Sequence, residues 1–241
     1  MIGVSTFCLH KQPLMTALDQ ISAITDTIEV MDDGPHHIES SEILESYVVT
    51  FALHAPSRGV NIASVLEPIR RASVEVTGHC FRIAADVDAN VIIHPGYFAW
   101  EEEREQATRQ FIRSMSDLDN LAKEYSITYY IENMGNWNYF FLRYPTELPL
   151  IGDTGLALDV GHAYLNKCLD AFLDCPIRHV HLHDNDGKDD AHLPVGDGTI
   201  DFGKVMDAVI QNGAVPIIEV SSFTGVQDSI TRLEQIAGRS G

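Results

Sequence analysis

Basic residues are scarce in this chain of 241 residues, where 16 Lys and Arg stand against 35 Asp and Glu and the formal net charge is -19. Such an excess of acid repels polyanions, so nucleic acid is disfavoured as a partner. Cysteine is also rare, with four copies and no CxxC pair. This scatter argues against a disulfide framework and against a patterned catalytic thiol.

Long apolar runs are missing too, since none approaches the roughly 20 residues of a membrane-spanning helix. Residues 1–13 lack the basic segment and long apolar stretch of a signal peptide. We therefore expect a soluble protein of the reduced cytoplasm with no membrane partner. Because no Ser, Pro or Gly-rich linker and no charge block divides the chain, we expect one domain over residues 1–241.

Two common motifs of α/β enzymes are absent as well. No GxGxxG follows any strand candidate, which leaves a doubly wound open sheet as an alternative fold without support. No GxSxG is present, which argues against a hydrolase with a nucleophile elbow.

What the chain does contain is a regular alternation of apolar runs and helical periodicity. Strands are predicted at residues 2–7, 27–31, 48–53, 91–93, 128–131, 155–158, 177–182 and 215–220. Helices are predicted at residues 14–24, 62–85, 101–125, 164–173, 202–211 and 226–236, with short or Pro-interrupted ones at 38–47 and 142–150. Eight such units at this length predict a single (β/α)8 TIM barrel, whose functional groups sit at the carboxyl ends of the strands.

The segment from Ile177 to Phe202 carries the densest chemistry. Its strand alternates His179, His181 and His183 with apolar residues, so the three imidazoles share one face. An acidic loop follows, ending in the pair Asp190 and His192. Imidazoles and carboxylates are donors that zinc, manganese and iron accept. The alternative is a solvated acidic loop beside an edge strand.

Nitrogen and oxygen donors also end the other strands of the predicted barrel. Several carboxylates gathered on one face would repel one another, and a divalent cation is the simplest group that makes the arrangement stable. The nine candidate donors, in chain order, are His54, His94, Glu132, Asp159, His162, His181, Asp190, His192 and Glu219.

The motifs HPG, IEN, LDVGH, HVHLHD, DAH and IIEV, spread over nearly the whole chain, resemble those of the xylose isomerase-like superfamily of barrels. That superfamily holds sugar isomerases and epimerases together with endonuclease IV. The resemblance to the epimerases implies one metal on Glu132, Asp159, His181 and Glu219. The resemblance to endonuclease IV implies more than one ion, held with the help of His54, His94, His162, Asp190 and His192.

From this resemblance we expect a metal-dependent isomerase or epimerase of a small sugar or sugar phosphate. Zinc or manganese would stabilise an enediolate while Glu132 and Glu219 remove and return a proton. One alternative is a zinc-dependent phosphodiesterase at abasic DNA sites, which the acidic loop at Asp32 and Asp33 opposes. Another is a barrel that binds metal or ligand without turnover.

Five further residues are candidate substrate contacts. Aromatic side chains near the barrel mouth could wall a small polyol pocket, and a lysine in the acidic loop could meet a phosphate. These candidates are Phe7, Trp100, Trp137, His183 and Lys188. The sequence leaves the oligomeric state open.

Overall fold

The computed structural model describes residues 2–237 and forms a closed barrel of eight parallel strands in chain order. The predicted (β/α)8 barrel is therefore confirmed. β1 pairs with both β2 and β8, which closes the sheet. The strands are β1 Gly3–Ser5, β2 Thr27–Met31, β3 Thr50–His54, β4 Asn90–Ile93, β5 Tyr129–Glu132, β6 Gly155–Asp159, β7 Ile177–Leu182 and β8 Val215–Ile218.

Helices follow the strands and cover the outside of the barrel. They are α1 Leu14–Ile21, α2 Glu42–Glu45, α3 Glu67–Asp86, α4 Arg104–Tyr125, α5 Val160–Leu165, α6 Leu169–Leu173, α7 Phe202–Asn212 and α8 Phe223–Ala237. Short 3-10 helices occur at Thr6–Leu9, Gly34–His36, Glu101–Glu103 and Pro145–Ile151. None of the described helices is both long and apolar enough to cross a membrane.

Two units depart from regular helices, each for a local reason. After β5, Pro145 and Pro149 interrupt the chain, and a 3-10 helix replaces an α-helix there. After β6, the helix predicted over residues 164–173 is instead two short helices. They are separated at Lys167, whose φ of 58° lies in the left-handed region and cannot continue a right-handed helix.

The side chains on the two faces of the barrel strands belong to different clusters. Residues such as Ile28, Val30 and Leu53 belong to the large core cluster that the helices cover. A separate small cluster of Ala52, Ile92 and Ala157 lies on the alternate face. Because side chains alternate along a strand, the residues two positions further on share that face, and they are His54, His94 and Asp159.

Candidate metal centre and active site

Four buried donors meet at the carboxyl ends of β5 to β8: Glu132, Asp159, His181 and Glu219. Nδ1 of His181 lies 3.5 Å from Glu219 Oε2, 3.6 Å from Glu132 Oε2 and 3.9 Å from Asp159 Oδ2. These separations are longer than hydrogen bonds. They suit atoms that share one ion, and three of the four side chains, Asp159, His181 and Glu219, offer ligand atoms within 4.8 Å of one another.

The surroundings of the His181 Nδ1 atom indicate whether an ion fits this site. It is buried and has no hydrogen-bond partner in the part of the chain that the structure describes. A buried nitrogen left without a partner costs about 1–3 kcal/mol. An imidazole nitrogen among three carboxylate oxygens is, by contrast, a donor set that zinc and manganese accept. The residues present therefore fit a divalent ion.

Asp159 is held in place from both neighbouring strands. Its Oδ1 accepts a hydrogen bond of 2.7 Å from the backbone N–H of His162 and so caps α5. His183 Nε2 lies 3.0 Å from both carboxylate oxygens. The side chain of Asn133 accepts from the Asp159 N–H at 2.7 Å and donates to its carbonyl at 2.9 Å. Glu132, the residue before Asn133, is thereby fixed relative to Asp159.

Three further histidines around this group share one arrangement. Nδ1 of each lies within hydrogen-bond distance of a backbone carbonyl. Because a carbonyl can only accept a hydrogen bond, that Nδ1 carries a proton. Nε2 then remains free to face the candidate metal ligands. The contacts are His54 Nδ1 to Ala55 O at 2.9 Å, His162 Nδ1 to Asn133 O at 2.9 Å and His192 Nδ1 to Glu219 O at 2.8 Å.

The Nε2 atoms of the same histidines face carboxylates. His54 Nε2 lies 3.1 Å from Glu132 Oε2, and His162 Nε2 lies 3.1 Å from Asp190 Oδ2. An unprotonated Nε2 and a carboxylate oxygen are both acceptors, so each close pair needs a proton or an ion between them. Further sets that could hold an ion are His54 with His94 and Glu132, Glu132 with Asp159 and His162, and His183 with Asp190 and His192.

The pKa values reflect this crowding of buried charge. Burial alone would raise the pKa of Glu132, but the charges of His94 and His181 lower it well below its usual range. Burial would likewise lower the pKa of His54, yet Glu132 raises it to about 9. Asp190 acts in the same way on His192, whose pKa rises to about 9 despite burial. A divalent ion entering the cluster would therefore displace protons.

A cavity of about 330 Å³ opens onto the donors, and both Glu132 and Glu219 line it. Phe7 and Trp137 also line it, and the Phe7 ring centroid lies 4.8 Å from that of His192. A larger cavity of about 860 Å³ lies between α4 and the segment before β6, away from every candidate donor. We place the candidate site in the smaller cavity because the ionisable cluster lies there, although the other cavity is larger.

Three of the predicted substrate contacts are not among the described residues that line this cavity. Trp100 is 66% exposed. Lys188 is exposed and pairs with Asp186 at 2.6 Å. His183 is buried behind the site, where it contacts Asp159 and stacks on His192 with ring centroids 3.9 Å apart. Their contact with a substrate stays a prediction without a structural basis.

One buried acid beside the site was not predicted from the sequence. Glu29 in β2 lies across the barrel from β7, with Oε1 2.8 Å from His181 Nε2 and Oε2 2.7 Å from His179 Nε2. The available signal was an acid between Ile28 and Val30 in an otherwise apolar strand. Such an acid is rarely buried unless it is paired.

Buried carboxylates and imidazoles at the carboxyl ends of a closed parallel barrel define a TIM barrel with a candidate metal centre at its mouth. The chain belongs to the xylose isomerase-like TIM barrel family, whose model matches residues 23–236. The resemblance inferred from the strand-end motifs is thus confirmed.

Similar proteins agree with this assignment. The uncharacterized protein MJ1614 of Methanocaldococcus jannaschii is 32% identical over 231 residues, which cover 92% of this chain and 92% of that protein. The crystal structure of a D-tagatose 3-epimerase-like protein superposes with a TM-score of 0.89 at 26% identity, covering 98% of this chain and 97% of the other. The IOLI protein with a binding zinc atom has the same fold, with a TM-score of 0.78 at 15% identity over 98% and 96% of the two chains.

Proposed function

We propose that this protein is a metal-dependent isomerase or epimerase of a small sugar that works by proton transfer. The observation that carries the proposal is the pair Glu132 and Glu219, which come from different strands and line one small cavity beside the candidate metal centre. Similarity to a D-tagatose 3-epimerase-like protein supports the reaction class. The zinc atom of the IOLI structure supports a divalent ion, and the imidazole and carboxylate ligands present accept zinc or manganese.

Glu132, Asp159, His181 and Glu219 would hold the ion. When bound, it would polarise the substrate carbonyl and offset the negative charge that develops on the carbonyl oxygen. Glu132 and Glu219 approach the cavity from different strands, so one carboxylate removes the proton next to the carbonyl and the other returns a proton. His54, His94 and His162 line the same cavity and would orient hydroxyl groups.

The cavity favours a sugar without a phosphate. None of the described residues that line it is Lys or Arg. Lys188 pairs with Asp186, and Arg143 donates to Asn138 and Asn166. A phosphate would therefore meet carboxylates without a cationic side chain to balance its charge. A neutral ketose would instead find imidazoles for its hydroxyls and an aromatic wall formed by Phe7 and Trp137.

Solvent exchange tests the proposal directly. Ketopentoses and ketohexoses are incubated with the zinc-loaded or manganese-loaded protein in deuterated water, and deuterium at the carbon next to the carbonyl is measured. A Glu base exchanges its proton with solvent, so a substrate should gain deuterium while it is converted. Glu219→Gln should reduce exchange by at least about 100-fold because it removes one acid or base. Glu102→Gln, a change at an exposed carboxylate, is the matched control and should have no effect.

Other outcomes separate the alternatives. Conversion of a ketose without deuterium uptake would refute proton transfer and point to a hydride shift. Metal binding without conversion of any ketose in the panel would favour a barrel that binds ligand without turnover.

A zinc-dependent phosphodiesterase is the second candidate, because the sets around His54, Asp190 and His192 could hold additional ions. The net charge of -19 opposes it. An abasic duplex incubated with the zinc-loaded protein at physiological salt should stay intact. Cleavage that is lost in Glu219→Gln and kept in Glu102→Gln would reverse the order of the two candidates.

A further inference from the structure

Glu29 and His179 lie beneath the candidate metal centre, in contact with its ligand candidate His181, and neither has a role in the mechanism above. Each of the three side chains is at most 1% exposed. Glu29 comes from β2 and the two histidines from β7, so the carboxylate spans the barrel interior. One of its oxygens lies 2.8 Å from His181 Nε2 and the other 2.7 Å from His179 Nε2.

These separations distinguish a shared proton from a shared ion. Ligand nitrogen and oxygen atoms lie about 2.0–2.2 Å from zinc, so two of them in a tetrahedron are separated by about 3.3 Å. The two contacts of Glu29 are about half an ångström shorter and have the length of charge-assisted contacts, about 2.7–2.9 Å, although the ring N–H directions are not aligned as in a hydrogen bond. These three side chains are also close enough to form a candidate ion set, but their short separations favour a proton, rather than an ion, between Glu29 and each imidazole.

The contacts of Glu29 determine which ring nitrogen of His181 faces the candidate metal centre. Ionised Glu29 can only accept, so Nε2 of His181 must carry a proton. Nδ1 then remains for the three carboxylates of the centre, whose oxygens lie 3.5 to 3.9 Å away. His181 is in this respect the reverse of His54, His162 and His192, whose Nδ1 atoms face backbone carbonyls.

We propose that Glu29 is a positioning residue that holds His181 with Nε2 protonated and Nδ1 facing the ion, while His179 occupies the second oxygen and stops the carboxylate from turning away. The proposal rests on the proposed function only in taking His181 as a metal ligand. Glu29 acts through His181 and does not contact the substrate cavity.

Metal affinity in two variants tests the role. Zinc binding is measured by competition with a chromophoric chelator, and the visible spectrum of the cobalt form reports the ligand geometry. Glu29→Gln should weaken binding at least 10-fold and change the cobalt bands, because an amide cannot accept from both imidazoles. His179→Gln is the matched control. The NH2 group of its amide can still donate to the second oxygen of Glu29, so the carboxylate keeps its contact with His181 and binding should fall less than 3-fold.

Equal losses in both variants, or wild-type affinity in folded Glu29→Gln, would overturn the proposal. If Glu29→Gln does not fold, the proposal is tested on the wild-type protein with bound cadmium-113, by nitrogen-15 NMR of its histidines. Coupling of cadmium to Nδ1 of His181, with a proton on Nε2, is the expected result, and coupling to Nε2 would refute the role.

A wild-type protein that binds no divalent ion would refute the proposed function instead. The arrangement around Glu29 is then tested in the ion-free protein, where His179 and His181 should both show slowly exchanging, low-field Nε2 protons. The absence of either resonance would refute the positioning contacts themselves.

Discussion

At the residue scale, the site is built from histidines whose ring nitrogens have separate tasks. In His54 and His192 one nitrogen is anchored to a backbone carbonyl and the other faces a carboxylate. The carboxylates hold protons on these rings, which is why the pKa of each is about 9. An ion and these protons compete for the same nitrogen atoms.

Proton release on metal binding is the prediction that follows. Zinc added to the ion-free protein at pH 7.5 should release protons, and its affinity should increase from pH 7 to pH 9 as His54 and His192 deprotonate. Calorimetry in two buffers with different ionisation enthalpies measures the release. Identical heats in both buffers would contradict the prediction. A His→Asn substitution at His79, a partly buried imidazole that belongs to none of the candidate ion sites, is the control.

The same pKa values fix the sign of the pH effect on stability. The two imidazoles have a pKa of 6.5 when unperturbed and about 9 when folded. A raised pKa means that the folded form holds more protons between these values. The contribution to stability is complete below pH 6.5 and is lost as the pH rises through about 9. Denaturant unfolding of the ion-free protein at pH 6.5 and pH 9 should show that decrease.

At the scale of elements, α5 begins directly at the metal centre. Asp159 ends β6 and caps the helix, and Gly161 lies in its first turn against the ring of His183. A Cβ atom at position 161 would lie far inside the van der Waals contact distance of that ring. His183 in turn contacts the carboxylate of Asp159. The position of this candidate ligand therefore depends on how closely α5 approaches the His183 ring.

Gly161→Ala should therefore destabilise the protein, although alanine at an ordinary helix position stabilises by about 1 kcal/mol relative to glycine. Overpacking at a rigid site costs about 1–3 kcal/mol, and displacement of His183 should also weaken zinc binding. Thermal unfolding and chelator competition measure the two effects.

Gly78→Ala is the matched control for this helix substitution. Gly78 lies in α3, and the atoms nearest its added Cβ would all belong to the flexible Leu121 side chain, with Cδ1 at 3.0 Å. We expect a change within about 1 kcal/mol there and no change in zinc affinity. Equal stability of both variants would contradict the coupling between α5 and the centre.

At the scale of the whole molecule, the barrel gathers buried acids that repel one another within a chain of net charge -19. An ion that binds only the folded state stabilises it by about 4 kcal/mol when its free concentration is 1,000 times its Kd. Removal of the ion by a chelator should therefore lower the Tm by about 10 °C for a chain of this size.

Calorimetric scans with and without chelator, followed by re-addition of zinc or manganese, measure this shift. Asp159→Ala should show little further change on chelation, since it lacks a ligand and has already lost most of the ion. A Tm that is unaffected by chelation in the wild type, at a metal content near zero, would remove the basis for a metal centre.

The sequence alone determined the barrel and the positions of its nine candidate donors. Eight alternating units leave few ways to close a parallel sheet, and parallel strands end at one rim, so donors far apart in sequence such as His54 and Glu219 come together. The short second unit and the Pro-interrupted fifth unit were also predictable, because Pro145 and Pro149 act locally. That these donors bind an ion stays a prediction.

Only the tertiary structure decided which groups face one another across the barrel. Strand alternation places Glu29, His179 and His181 inward, but the closure of the sheet determines that the carboxylate of β2 meets the imidazoles of β7. Loop geometry likewise left Trp100 and Lys188 outside the cavity that Phe7 and Trp137 line. Local pattern fixes the face on which a side chain lies, whereas its partner depends on packing between residues distant in sequence.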